Sequence, residues 1–399
     1  MSESDTNTTA PPRRRRLLIA GALTIVMAGA GTATVALLAQ DETEPAAAVG
    51  ATPGPVATAA QSSEPVMAEA DSLSGVRGTI WVANEAEGSL SAIDASTYEV
   101  VKTVSGIEGP HNVQVSPDGR SVWAVSGHDG AAVMLDAATL DQHGVTTTGS
   151  SPTHIVVSPD GRTAFTTNTT EGTVTAIDTS TMEVVATIPV GEGAHGLRPS
   201  PDGSSVYVAN VGSTTLSVID TATLETVADV EVGEAPAQVA FSPDGAFVYA
   251  SLSGEGALAK VDVATRELVG TVQVGAVPIQ TYVTPDGQHV LVANQGTEDA
   301  PGTTVSVVDA ADMEVVATIE TGRGAHGVVV EPTGRFAYVT NLFDDDVAVI
   351  DLDRLTVVAT VPVGDMPNGI SFSPLAVDAR DDVELTMPHV DSDGGGHGH

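Results

Sequence analysis

Residues 194–232 read AHGLRPSPDGSSVYVANVGSTTLSVIDTATLETVADVEV. Four short runs rich in Val and Thr stand out: AHGLRPS, SSVYVAN, TTLSVID and TVADVEV. Turn-forming residues separate them, most plainly Pro201, Asp202 and Gly203. Alternation, β-branched side chains and Pro-Asp-Gly punctuation predict four strands; a helix would repeat its apolar residues every 3.6 positions.

The same unit runs along most of the chain. Prolines recur at 117, 159, 201, 243, 285, 332 and 374, 42 residues apart except for one gap of 47. Around them stand four SPDG turns (116–119, 158–161, 200–203, 242–245), then TPDG (284–287), EPTG (331–334) and SPLA (373–376). Asp94, Asp136, Asp178, Asp220, Asp262, Asp309 and Asp351 repeat with the same spacing. Four strands in about 40–45 residues is the signature of a propeller blade.

The two ends of the repeat array explain how the ring closes. TIWVAN (79–84), SLSAID (89–94) and EVVKTV (99–104) lack a preceding inner strand, and NGISFSP (368–374) lacks anything after it. Joined, they complete a seventh blade. The expected fold is all-β: a seven-bladed β-propeller of four-stranded blades over 78–374, closed by N- and C-terminal strands that share one blade. The segments WVAN (81–84), YVAN (207–210), LVAN (291–294) and YVTN (338–341), with the SPDG turns before them, resemble the YVTN β-propeller repeat family. That resemblance implies an exported, surface-layer-like propeller. It does not imply one activity, because such repeats are similar to surface-layer proteins, exported binding proteins, lactonases and redox-enzyme propellers alike.

Composition narrows the function classes. The 399 residues carry 15 Lys+Arg against 52 Asp+Glu, a formal charge of −37, and no cysteine. A nucleic-acid partner is excluded by that acidity, since phosphate binding needs cationic side chains to release counterions. Disulfides, a cysteine nucleophile and thiolate metal sites are excluded outright. Residues 1–16 form a basic N-terminus ending in Arg13–Arg16, and 17–40 is an uncharged apolar run, read as a signal peptide or membrane anchor helix. Positive-inside orientation then places the rest outside the cytoplasm, secreted or anchored in the plasma membrane as a monomeric propeller. Residues 41–77 read as a flexible linker and 375–399 as an acidic, His/Gly-rich tail with His389, His397 and His399.

Propeller connectivity sorts the loops. Links between blades share an upper face with the turns from second to third strand, and the Pro-Asp-Gly turns occupy the opposite face. The repeated aspartates there are expected to accept backbone N–H bonds in their own turns. Specificity belongs on the variable upper face. Six residues before each repeat proline stand His111, Thr153, His195, Ala237, Ile279, His326 and Asn368. His111, His195 and His326 come from the first, third and sixth blades, a nearly even spread, and are the expected ligands of a transition metal such as zinc or copper. His154, displaced by one position, and His128, in GHDG (127–130), are further candidates at the channel mouth, with Gln238, Gln280 and Asn368. A plainer reading has each histidine bonded to its own blade-linking loop.

No G-x-S-x-G, H-E-x-x-H or phosphate-cradling glycine loop occurs. The leading expectation is therefore a non-enzymatic binding or scaffold module that takes a protein, glycan or small molecule on its upper face. A metal- or cofactor-binding redox propeller is the alternative, and a lactonase-like hydrolase the second.

Overall fold

The computed structural model describes residues 75–378 and 381–387. The segments 1–16 and 17–40, nearly all of the linker, and His389, His397 and His399 lie outside the described residues.

Seven antiparallel sheets form the ring. Blades one to six begin with the inner strands Val113–Val115, Pro152–Val157, Ala194–Pro199, Pro236–Phe241, Pro278–Val283 and Ala325–Val330, and each continues outward through three more strands in sequence order. Blade seven is built from both ends: Pro367–Ser373 pairs with Thr79–Asn84, followed by Ser89–Asp94 and Glu99–Ser105. The seven inner strands contact one another in a closed cycle, the last against the first. The closure expected from the sequence is the one observed.

Hydrophobic burial is concentrated between blades. The centre of each second strand carries a large side chain, Trp81, Trp123, Phe165, Tyr207, Tyr249, Leu291 or Tyr338, all at most 2% exposed. In a chain with only 3% aromatics, six of these seven positions hold a ring, buried between neighbouring sheets. Their neighbours are mainly Val, Leu and Ala from the adjoining blade, as where Trp81 of blade seven meets Val113 and Leu135 of blade one. The outermost strands instead expose valines, among them Val185, Val269 and Val316. A register shift interrupts each outermost pairing, for example between Ala92 and Ile93. Such bulges twist an edge and make it a poor template for another strand.

The lower turns behave as expected. Asp136 Oδ1 accepts from the backbone N–H groups of Ala138 at 2.9 Å and Thr139 at 2.8 Å, and Asp118 Oδ1 accepts from Arg120 N–H at 3.0 Å. In the divergent EPTG turn Glu331 replaces the serine and bonds the backbone of Thr333, Arg335 and Phe336, doing the work of both missing side chains.

One element was not anticipated. Val383–Glu384 adds a fifth, parallel strand outside Glu99–Ser105. Leu385 is buried there, with Val377, Val383 and Met387 against the core between blades seven and one. The Asp382 carboxylate accepts from Thr103 N–H at 3.0 Å, and Ala138 O accepts from Asp378 N–H at 2.8 Å. The segment after Pro374 thus straps the closing blade to its neighbour. Its apolar residues are too few and too scattered to show any strand period.

Candidate metal centre in the central channel

The inner strands of blades two to seven each pair irregularly with the second strand, which shapes the site. In blade three Ala194 pairs with Asn210 and Leu197 with Val208, so His195 and Gly196 together face one partner residue. Blades two, five, six and seven show comparable shifts. A bulge of this kind re-aims side chains by placing two residues where one would fit. Positions six and five before the repeat proline can therefore both turn toward the channel, and His154 joins the other histidines despite its one-residue offset.

The recurrent Ala-His-Gly has a steric cause. A Cβ on Gly196 would come within 2.5 Å of the Ala237 carbonyl oxygen on the next inner strand, and one on Gly327 would strike the Asn368 carbonyl. Only glycine lets adjacent inner strands approach this closely, and the histidine beside it fills the axis.

Four imidazoles converge. The ring centres of His111 and His154 are 5.3 Å apart, His111 and His195 5.3 Å, His154 and His195 4.7 Å, and His111 and His326 5.8 Å. The ligand atoms of His111, His154 and His195 all lie within 4.8 Å of one another. Imidazoles bound to one tetrahedral ion through nitrogens about 2.0–2.1 Å away have ring centres roughly 5 Å apart, close to what these three show. His326 stands beside His111 rather than completing that triplet.

Hydrogen bonds orient the rings. His195 Nδ1–H donates to Ala237 O at 2.8 Å, and His326 Nδ1–H donates to Gln295 Oε1 at 2.7 Å. His111 Nδ1 lies 3.2 Å from Glu85 Oε2, which also accepts from Asn368 Nδ2 at 2.6 Å. The acceptors behind His195 and His326 place the proton on Nδ1 and leave the Nε2 lone pair free, the arrangement found behind metal-ligating histidines, whereas His111 Nδ1 lies between Glu85 and the Asn368 amide nitrogen, 3.0 Å away. The Nε2 atoms of His111, His154 and His326 are buried and have no hydrogen-bond partner in the structure. His154 is set differently. Gln238 Oε1 accepts from Val239 N–H at 2.9 Å, which turns the Gln238 amide nitrogen toward His154 Nδ1 at 3.4 Å. The Thr167 hydroxyl ties the two neighbouring ligands together, accepting from His154 N–H at 3.1 Å and donating to His195 O at 2.7 Å.

Burial keeps His154, His195 and His326 neutral. Burial, reinforced by His111, lowers His195 to about 4, with the Ala237 carbonyl and Glu85 opposing. Burial followed by the neighbouring imidazoles pushes His154 and His326 well below the ordinary 6.5. Burial would raise Glu85, but its bond and charge interaction with His111 and the Asn368 amide outweigh that and hold it at about 2. Buried imidazoles beside a carboxylate form a donor set suited to zinc or copper.

The remaining candidates sort out clearly. Gln238 and Asn368 support the ligands as described, and Gln280 is buried with its amide nitrogen unpaired. His128 is exposed and packs over Gly109 in the blade-linking loop, away from the cluster. The acids at 344–346 are occupied locally: Asp344 Oδ2 accepts from Arg323 N–H, Asp345 Oδ1 from Met366 N–H and Asp346 Oδ1 from Asn341 Nδ2.

Two residues of the site escaped the sequence reading. Glu85 directly follows the WVAN segment and Gln295 directly follows LVAN, the same repeat position in blades seven and five. Each reaches the histidine of the next blade. Aligning that position across the repeats would have shown a carboxylate and an amide one blade ahead of two of the three histidines.

A family model described as a YNCE-like beta-propeller matches residues 120–379. No curated protein sequence matches the chain. Among solved structures, hydrazine synthase of Kuenenia stuttgartiensis aligns at 23% identity and a TM-score of 0.61, covering 67% of this chain and 90% of that one. The dihydro-heme d1 dehydrogenase NirN aligns at 15% identity and 0.56, over 73% and 74%. A putative 6-phosphogluconolactonase of Bacteroides fragilis aligns at 18% and 0.62, over 74% and 98%. Likeness at this level establishes the shared fold.

Proposed function

Because the chain belongs to the YNCE-like β-propeller family, whose fold serves many activities, we propose from its channel that it is a transition-metal-binding propeller. The ion, of the zinc or copper class, is held by His111, His154 and His195 with His326 alongside. One observation carries this reading: His111, His154 and His195 from three blades meet at ligand spacing, and the Nε2 atoms of His111 and His154 are buried without a protein partner. Burying such atoms without partners costs about 1–3 kcal/mol each, a cost that an ion removes.

Three protein ligands leave a tetrahedral ion one open position, which suits it to bind or activate a small ligand. Glu85, Gln295 and the Ala237 carbonyl orient the rings. The ion supplies Lewis acidity when bound. The arginine cluster at 13–16 and the apolar run 17–40 support export, which would place the propeller outside the cytoplasm. A role as a binding module on the upper face is compatible with this centre, the ion then being the point of attachment.

The test is metal content of the full chain lacking only residues 389–399, so that the tail histidines add nothing. About one equivalent of zinc or copper is expected to survive gel filtration, and His195→Ala is expected to lose it. Metal-free protein after incubation with either ion, or retention unchanged in His111→Ala and His195→Ala, rejects the proposal.

A further inference from the structure

Three residues before each repeat proline the inner strands carry Gln114, Val156, Arg198, Ala240, Tyr282, Val329 and Ser371. Arg198 is the one charged side chain in this set. It lies three residues after His195 on the same strand, about 10 Å further down if extended. Its single hydrogen bond is from Nη1 to the Leu197 carbonyl at 3.2 Å, and no carboxylate lies within ion-pair distance of it among the described residues. The side chain is half-buried, and a cation without a carboxylate partner stands out in a chain with 15 Lys+Arg against 52 Asp+Glu.

Two further donors without acceptors lie on the inner strand of blade five. Gln280 is 2% exposed, and its amide nitrogen has no partner. Tyr282, two residues further along the same inner strand, makes no hydrogen bond through its hydroxyl among the described residues. Arg198 belongs to blade three and Tyr282 to blade five, which are not adjacent, yet burial lowers the one and raises the other while each partly offsets the other's shift. Leu197 and Val283, the neighbours of Arg198 and Tyr282 on their strands, are buried in the core between blades, so strand alternation turns Arg198, Gln280 and Tyr282 toward the common axis.

We propose that the channel beneath the histidines is a receptor for a small oxoanion, held by the Arg198 guanidinium with the Gln280 amide and the Tyr282 hydroxyl. A planar guanidinium with free N–H groups matches a carboxylate or an inorganic oxyanion, which share two oxygens at the right spacing for paired hydrogen bonds. On the metal-centre reading, on which this second half rests, the anion also occupies the coordination position that three imidazoles leave open. A divalent ion among the histidines has one carboxylate close by, Glu85, so the bound anion balances the remaining positive charge.

The first experiment uses the full chain without metal. The Arg198 side-chain Nε–H resonance is followed by 1H–15N correlation while sodium acetate, and separately sodium sulfate, is added, with sodium chloride as the ionic-strength control. A saturable shift with acetate alone identifies a carboxylate site, and one with sulfate alone or with both an inorganic-oxyanion or general oxoanion site. No shift beyond the chloride control overturns the proposal.

The second experiment uses cobalt(II)-loaded full chain and reads the visible ligand-field bands. The anion that binds is expected to change the bands in wild type and to bind at least 10-fold more weakly to Arg198→Gln, with cobalt affinity unchanged within about 3-fold. Equal anion affinity in Arg198→Gln overturns the proposal. Tyr282→Phe, which keeps the ring and loses the hydroxyl, is expected to weaken the anion several-fold and supports the test if Arg198→Gln does not fold; unchanged anion affinity in it then counts against the site. Failure of cobalt to bind rejects the metal centre, and the metal-free titration still decides the anion site.

Discussion

Glu85→Gln is the substitution that most directly probes how the centre is built. The Glu85 carboxylate accepts from Asn368 Nδ2 at 2.6 Å and holds His111 Nδ1 at 3.2 Å. Its proton affinity is low enough to keep it ionised down to about 2, against an ordinary 4.5. Taken whole, that difference corresponds to at most ~3 kcal/mol of native-state stabilisation. The side chain is 32% exposed, so solvent screening reduces the figure to about 1–2 kcal/mol. The stabilisation is present above pH 4.5 and disappears as pH falls toward 2, because a carboxylate with a depressed folded pKa loses its advantage on protonation. Metal affinity tests the role more sharply. Removing a carboxylate behind a ligating imidazole typically costs 10–100-fold. Urea denaturation of metal-free Glu85→Gln at pH 7 is expected to show the loss of about 1–2 kcal/mol. Competition against a chromogenic chelator is expected to show zinc or copper bound at least 10-fold more weakly. A variant destabilised as stated but with metal affinity unchanged within 3-fold would refute the reasoning, since Glu85 would then serve the fold alone.

Gln238→Glu is expected to act in the opposite direction: one carboxylate oxygen keeps the Val239 N–H bond while the other accepts from His154 Nδ1–H, and metal should bind roughly 10-fold more tightly in the same competition assay. In the metal-free chain, stability should fall as pH drops from 6.5 toward 4, because the unfolded histidines take up protons that buried His154, His195 and His326 refuse. The slope should reach about 1.4 kcal/mol per pH unit for each such histidine, read from urea midpoints between pH 4.5 and 7.5; equal stability at pH 5 and pH 7 would count against neutral imidazoles. Deleting residues 78–105 removes three strands of blade seven and leaves Pro367–Ser373 without its partner. Aggregation or non-cooperative melting is expected, and a soluble, cooperative truncation would contradict the closure.

How far the sequence reached depended on whether a feature repeats. A 42-residue period with Pro-Asp-Gly turns determined the strands, the seven blades and the shared closing blade, because local alternation and turn chemistry decide strand and turn almost without tertiary help. It also brought His111, His195 and His326 to one end of the inner strands. Only the folded ring decided that His154 joins His111 and His195 at ligand spacing, since a bulge at the head of its inner strand turns it to the axis despite its one-residue offset. The supports Glu85 and Gln295 belong to one blade and serve the next, and the strap at 383–387 follows from an edge and a groove that exist only after closure. Arg198 and Tyr282 are 84 residues apart in the chain and lie on blades that do not touch. Periodicity specifies which residues share a face within a sheet; it carries no information about what faces them across a channel.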